Sequence, residues 1–92
     1  MPFVPDESLR ERFAERARHE ETRYALIESV NGFRRGDAVS FSRQGISMTS
    51  GTIRWLVRKG SPPNTELWVI VDIDQRGGYI FIPATTVALR SA

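Results

Sequence analysis

The side chains best suited to chemistry in this chain are basic residues that lie in or beside two loops of its second half, namely Arg43, Arg54, Arg58 and Lys59. Arginine forms bidentate hydrogen bonds with phosphate oxygens, and lysine supplies a compact positive charge. A rim of such residues is typical of a small phosphate-binding surface, so we assign these four as candidate nucleic-acid contacts. The alternative is that they are solvated side chains with a few surface salt bridges.

The charge of the chain is unevenly distributed, which favours the same assignment. Residues 1–32 contain five Arg and seven acidic residues, whereas residues 33–92 contain seven Arg and one Lys against four acidic residues. A basic surface attracts nucleic acid because phosphate contacts release counterions, but each contact needs its own Arg or Lys. The number of basic residues therefore predicts a small footprint.

Catalytic and metal-binding patterns are weak. The only histidine, His19, lies in a charged segment, and the chain has no cysteine, which argues against a soft-ligand metal site. Asp72 and Asp74 are spaced as a carboxylate pair, although a solvated strand end fits them better. The tripeptide 35–37 spells an adhesion motif but lies where a turn enters a strand. We therefore expect no cofactor, no metal and no enzymatic activity.

The N-terminal segment predicts a helix from Asp6 to Val30. Ser8 and Glu11 have the spacing of a capping box, and the pair at 31–32, Asn-Gly, is a common helix stop. The apolar stripe of this helix is interrupted at Glu20. An unbroken helix of this length would reach roughly 37 Å, which is longer than a small barrel is wide.

Two arrangements of this helix remain open. In the first, it breaks near 19–21, residues 22–30 pack on the sheet, and the charged half is a solvated arm. In the second, the N-terminal part projects, and Leu9 and Phe13 dock onto another subunit or protein.

From Phe33 onward the helical pattern gives way to alternation, which predicts strands. Two runs of β-branched and aromatic residues, 67–73 and 79–82, are joined by a glycine turn and predict an antiparallel hairpin. Both faces of this hairpin are largely apolar, so its outer face needs a cover, either the helix or a partner. The predicted strands are 37–42, 51–58, 67–73, 79–82 and 87–90, with a 3₁₀ turn at Ala84–Thr86.

Alternation also assigns side chains to faces of the sheet. In the second strand it places Ile53, Trp55 and Val57 on one face and Arg54 with Leu56 on the other. On the outer face of the hairpin, Trp68 and Ile70 join Leu9 and Phe13 as candidate partner-binding residues.

Three segments carry a family resemblance: 35–41 (Arg-Gly-Asp-Ala-Val-Ser-Phe), 51–53 (Gly-Thr-Ile), and 68–72 (Trp-Val-Ile-Val-Asp) ahead of 79–83. Together they resemble SH3-like barrels of the KOW and Tudor type. The resemblance implies a mainly β fold, a small five-stranded SH3-like barrel preceded by an N-terminal α-helix. Residues 1–32 would form the tip and helix and residues 33–92 the barrel, within one compact domain. KOW domains bind RNA, DNA or polymerase, and Tudor domains bind methylated side chains in an aromatic cage.

A second resemblance is to the plasmid-borne type II dihydrofolate reductases. It is carried by Gly36-Asp37-x-Val39, by 51–56 (Gly-Thr-Ile-x-x-Leu), and by Pro83 ahead of 87–89 (Val-Ala-Leu). The catalytic glutamine and tyrosine of that family have no counterpart at their positions in this chain. The resemblance therefore implies assembly through barrel strands rather than the activity.

We expect a cytoplasmic, non-enzymatic binding module, because no signal sequence and no apolar run of about eighteen residues occurs. Two functions remain open. One is association with nucleic acid, or with a nucleic-acid-bound complex, through the basic loop rim. The other is protein interaction or self-assembly, as a homo-oligomer, through the helix and the outer barrel face. A remote third is an oligomeric enzyme similar to the reductases.

Overall fold

The computed structural model describes residues 5–43, 46–73 and 78–90, and for residues 42, 43 and 46–48 it describes the backbone alone. Within these ranges the protein is mainly β with an N-terminal helix, which confirms the predicted class. The elements are α1 (Asp6–Glu20), β1 (Tyr24–Ile27), β2 (Ser29–Val30), β3 (Phe33–Arg34), β4 (Ala38–Arg43), β5 (Ile46–Ser61), β6 (Asn64–Ile73), β7 (Tyr79–Pro83), a 3₁₀ turn (Ala84–Thr86) and β8 (Val87–Leu89).

Helix α1 ends at Glu20, within the charged segment, and is therefore shorter than the helix predicted for 6–30. Glu21 adopts a left-handed conformation with φ 51°, and its backbone N–H donates to the carbonyl of Ala17. The N–H of Thr22 donates to the same carbonyl at 3.1 Å. These bonds form a Schellman-type stop, which satisfies carbonyls that the end of a helix leaves open. The break near 19–21 offered by the first arrangement is therefore present, but the charged half is not a solvated arm, because Leu9 and Phe13 are buried.

The segment 24–30 is not helical as predicted but forms two short strands. β1 pairs antiparallel with β5, with Tyr24 opposite Lys59 and Ile27 opposite Leu56. β2 and β3 form a separate hairpin. Asn31 and Gly32, expected as a helix stop, both have positive φ, 50° and 86°. Positive φ at both central residues is the geometry of the two-residue hairpin turn that Asn-Gly favours, so the same dipeptide makes a different structure.

The main sheet is antiparallel with the order β7-β6-β5-β4-β8, and β1 pairs with β5 off this path. The predicted hairpin is present, since Trp68 lies opposite Pro83 and Asp72 opposite Tyr79. The five strands predicted from alternation and the 3₁₀ turn are confirmed in outline. β7 and β8 lie at the two ends of this order and do not pair with each other in the described residues, so the predicted closure into a five-stranded barrel is not confirmed.

A β-bulge in β5 changes the predicted assignment of faces. Ile53 lies opposite Val71 and Trp55 opposite Ile70, which leaves Arg54 without an opposing residue. One extra residue reverses the alternation that follows it. Contrary to the predicted pattern, Ile53 therefore shares a core with Leu56, while Trp55 and Val57 belong to the core on the other face.

The two faces of the sheet bury two hydrophobic cores. The first core contains Val69 and Val71 of β6, and the second contains Ile70 between them. Since neighbouring side chains of a strand point to opposite faces, the cores lie on opposite sides of the sheet. Helix α1 covers the second core, because Leu9 and Phe13 are buried in it. The cover expected for the outer face of the hairpin is therefore the chain's own helix.

Among the described residues, no helix combines the length and apolar character needed to cross a bilayer.

Candidate functional site

The four candidate nucleic-acid contacts do not form one rim. The side chain of Arg43 lies outside the described residues. Arg54 is 7 % exposed and is the only buried charged residue in the described part of the chain. Arg58 is exposed and Lys59 is half-buried, and both lie near the end of β5. Arg58 and Lys59 are consecutive in β5, so their side chains leave opposite faces of the sheet at the same strand end, and Arg54 lies apart from both.

Arg54 holds the helix to the sheet instead of facing solvent. Its Nε lies 3.4 Å from Oδ1 of Asp6 at the start of α1 and 3.7 Å from Oδ2 of Asp72 on β6. Arg54 lies on the face that α1 covers, because its neighbour Ile53 packs in the core of the opposite face. A buried arginine needs such carboxylates, because an uncompensated charge is costly to remove from water.

Burial also affects one of these carboxylates. The pKa of Asp72 is raised above its ordinary value, mainly because burial penalises the charged form and partly because Asp6 is close by. The positive charge of Arg54 opposes this rise and keeps the pKa from going higher.

Arg35 extends this network on the side of the β3–β4 turn. Its Nε donates to the carbonyl of Arg54 at 2.7 Å, and its Nη2 donates to Oδ2 of Asp6 at 3.1 Å. Its guanidinium lies 3.6 Å from the ring centroid of Trp55, a cation–π contact. The two arginines and the carboxylates of Asp6 and Asp72 compensate one another, so the network ties α1 to the sheet.

Three basic residues, Arg23, Arg58 and Lys59, lie at the end of the sheet where β1 and β6 begin and β5 finishes. Tyr24 lies opposite Lys59 and Ala25 opposite Arg58. The N–H of Gly60 donates to the carbonyl of Arg23 at 2.8 Å, which places the exposed Arg23 beside this pair. We call Arg23, Tyr24, Arg58, Lys59 and Trp68 the basic–aromatic end. Among the described residues, Arg23 and Arg58 have no ion-pair partner.

The rings of Tyr24 and Trp68 both lie near the Lys59 ammonium, and the Trp68 ring also stacks on Phe81. Nζ of Lys59 lies 5.0 Å from the ring centroid of Trp68 and 5.8 Å from that of Tyr24. The Trp68 ring stacks on Phe81 with centroids 4.8 Å apart and an interplanar angle of 22°. Nε1 of Trp68 donates to Oε1 of Glu66 at 2.9 Å. All three rings are partly exposed, so cations and aromatic faces meet solvent together.

A hydrogen-bonded network borders the basic–aromatic end on the helix. Nε of Arg16 donates to Oε2 of Glu20 at 2.6 Å, and the hydroxyl of Tyr24 donates to Oε1 at 2.5 Å. The hydroxyl of Tyr24 and then Arg16 lower the pKa of Glu20. Burial and the bond to Glu20 raise the pKa of Tyr24. The network fixes the Tyr24 ring beside Lys59.

Three of the four candidate partner-binding residues lie inside the chain. Leu9 and Ile70 are fully buried, and Phe13 is 4 % exposed. Phe13 contacts Tyr24 and Phe81 edge to face, with centroids 5.4 and 4.9 Å away. Trp68 alone of the four reaches the surface.

Sequence reasoning missed Arg23 and Tyr24, because they fell within the predicted helix. The only local signal for a strand is Tyr24 with Ile27, since Ala25 and Leu26 favour a helix as readily. In the structure, Tyr24 and Leu26 face the helix-side core, whereas Ile27 packs on the other core.

Comparison with known proteins yields no relative: no protein-family model matches the chain, and no curated protein or solved structure matches it significantly. The described residues also contain no group of three or more His, Cys, Asp or Glu placed to hold a metal ion.

Proposed function

We propose that this protein is a non-enzymatic module that binds nucleic acid through the basic–aromatic end. The observation that carries the proposal is the pairing of β1, β5 and β6, which places the Lys59 ammonium over the partly exposed rings of Tyr24 and Trp68, with Arg58 on the opposite face of the same strand end and Arg23 immediately before β1. Cations next to accessible aromatic faces are the combination by which proteins hold phosphates and bases together.

The expected binding is modest and strongly salt-dependent. Three basic side chains allow about three phosphate contacts, and each contact adds about 0.7 to the slope of log affinity against log salt for a single strand. Glu66, which lies opposite Lys59, and Glu20 place negative charge nearby and weaken the attraction. A cytoplasmic location, where nucleic acid is accessible, is part of this proposal.

The proposal is tested by the anisotropy of a fluorescent twelve-nucleotide single strand at several salt concentrations. We expect a slope near −2, and we expect Arg23→Gln and Arg58→Gln each to reduce its magnitude by about 0.7. Arg90→Gln is the matched control, because Arg90 is also exposed but follows β8, where its N–H bonds to the carbonyl of Ala38. Binding that does not change with salt, or a control as weak as the two variants, would contradict the proposal.

The fold that accompanies this function is proposed to be SH3-like. Two features support it: the sheet order returns β8 beside β4, and a 3₁₀ turn at Ala84–Thr86 precedes β8. Closure of the five strands into a barrel belongs to this proposal. Nuclear Overhauser contacts between the backbones of β7 and β8 would test it, and their absence would argue for an open sheet.

Protein interaction or self-assembly through the helix and the outer sheet face has less support. The surface expected for it consists of Leu9, Phe13, Trp68 and Ile70, and three of these four are already covered within the chain.

A further inference from the structure

We propose that Trp68 is a stacking platform for one unpaired base of a single-stranded nucleic acid, and that Lys59 covers this platform in the free protein. The inference rests on the proposed function and deepens it, because it names the class of nucleic acid and the group that is recognised.

The Trp68 ring is held in place before any ligand arrives. Phe81 stacks on it at 4.8 Å and 22°, and Glu66 accepts its indole N–H at 2.9 Å. Phe81 in turn contacts Phe13, which is 4 % exposed and belongs to the helix-side core. The platform is therefore anchored to buried structure, and a rigid ring loses little freedom when a base stacks on it.

Among the described residues, the cation that lies over the Trp68 ring is on a flexible side chain. Nζ of Lys59 lies 5.0 Å from the Trp68 centroid. Lysine is attached through a four-carbon stem, so its ammonium can leave the ring without moving β5. A phosphate of the bound strand would then pair with this ammonium, and Arg23 and Arg58 would hold phosphates where the strand passes the end of the sheet.

The exchange of the ammonium for a base is favourable. An exposed cation–π contact changes an equilibrium constant by about two- to fivefold. Stacking of a base on an aromatic side chain changes it by about 5- to 150-fold. Stacking of a base on Trp68 therefore stabilises the complex more than loss of the cation–π contact destabilises it. The released Lys59 ammonium can then pair with a phosphate.

The ligand must be single-stranded, because a base in a duplex already has both faces covered by its neighbours. A methylated lysine side chain is the competing occupant, since its cation would take the place of the Lys59 ammonium over the same rings. This competitor is one outcome of the test below.

The test compares a twelve-nucleotide oligo(dT) with an abasic strand of the same length at one salt concentration. Wild-type protein should bind oligo(dT) about 5- to 150-fold more tightly than the abasic strand. Trp68→Leu should remove this preference, so that the two strands bind with equal affinity. Tyr79→Leu is the matched control, because Tyr79 is a partly exposed ring on β7 beside Arg12 rather than Lys59, and it should keep the preference.

A second variant keeps the test valid if Trp68→Leu does not fold. Lys59→Met should weaken binding of both strands through the lost phosphate contact, while the preference for oligo(dT) stays equal or rises by about two- to fivefold because the cover is gone. A preference that falls in Lys59→Met would overturn the inference.

Other results separate the two proposals. The stacking inference is wrong if wild-type protein binds both strands equally, or if Trp68→Leu weakens the binding of both strands equally. In either case the proposed nucleic-acid binding is retained. If neither strand binds, the proposed function is wrong as well. Tight, Trp68-dependent binding of a trimethyllysine peptide without any preference for oligo(dT) would also overturn the platform.

Discussion

Arg54 in the bulge of β5 and Asp6 at the start of α1 form an ion pair, with Nε 3.4 Å from Oδ1, across the junction between sheet and helix. The guanidinium is buried, whereas the Asp6 side chain keeps 40 % of its exposure. Arg54, which the sequence pattern assigned to a nucleic-acid-binding rim, therefore stabilises the fold. Its substitution should affect stability more than binding.

Arg54→Met tests this role. The variant removes the buried charge, leaves Asp72 without Arg54 and leaves Asp6 paired with Arg35 alone, so we expect a loss of about 1–3 kcal/mol in the free energy of unfolding. The loss is below that of a fully buried pair because both carboxylates are partly exposed. Urea denaturation measures it, with the exposed Arg34→Met as control, which should change stability by less than about 0.5 kcal/mol. If both variants changed the free energy of unfolding equally, Arg54 would be exposed to solvent rather than buried.

Docking of the helix is tested by Leu9→Ala. Leu9 is fully buried in the helix-side core, so its truncation should lower the free energy of unfolding by about 2–5 kcal/mol. Arg18→Ala, an exposed position on the same helix, is the control. A change of less than about 0.5 kcal/mol at Leu9 would indicate that α1 does not pack on the sheet.

The raised pKa of Asp72 predicts a pH dependence of stability. Folded protein binds the Asp72 proton more tightly than unfolded protein, whose carboxyl has the ordinary value of 3.8. The stabilisation from this carboxyl is therefore fully present below pH 3.8 and lost as the pH rises through the folded pKa. Wild-type protein should lose stability relative to Asp72→Asn over that interval, as measured by urea denaturation at several pH values. A relative gain over the same interval would mean that Arg54 outweighs burial.

Glu20 should show the opposite dependence. The bonds from Tyr24 and Arg16 lower its pKa below the ordinary value of 4.5. Its contribution is present above that value and lost as the pH falls through the lower, folded pKa. A carboxyl resonance of Glu20 that titrates below pH 4.5 in NMR spectra of wild-type protein, and moves upward in Tyr24→Phe, would agree with this network. An unchanged midpoint in the variant would contradict it.

Glu66 should oppose nucleic-acid binding through its charge. It lies opposite Lys59, and it also accepts the indole N–H of Trp68. Glu66→Gln removes the charge and keeps a carbonyl acceptor for the indole, so we expect about two- to fivefold tighter binding of a single strand at low salt. Anisotropy titrations measure this change, and it should disappear at high salt because exposed charges are screened. Weaker binding in the variant would place the nucleic acid elsewhere.

The local sequence pattern was sufficient to predict much of the sheet. The alternation in 67–73 and 79–82 predicts the β6–β7 hairpin, and Pro83 ahead of Ala84–Thr86 marks the 3₁₀ turn. These features depend on the period of a strand and on the backbone limits of proline, which act within a few residues. The break of α1 at Glu20 was likewise open to prediction, because the apolar stripe ends there.

Only the tertiary structure decided the rest. Residues 24–27 carry a pattern that fits a helix or a strand, and the open edge of β5 at 56–59 selects the strand. The bulge at Arg54 depends on how β5 must bend between β4 and β6, and one inserted residue reverses the faces of all that follows. For this reason the sequence by itself determined that Arg54, Arg58 and Lys59 are basic and close in the chain, while pairing between distant strands decided that Arg54 is buried and that Lys59 lies over Trp68.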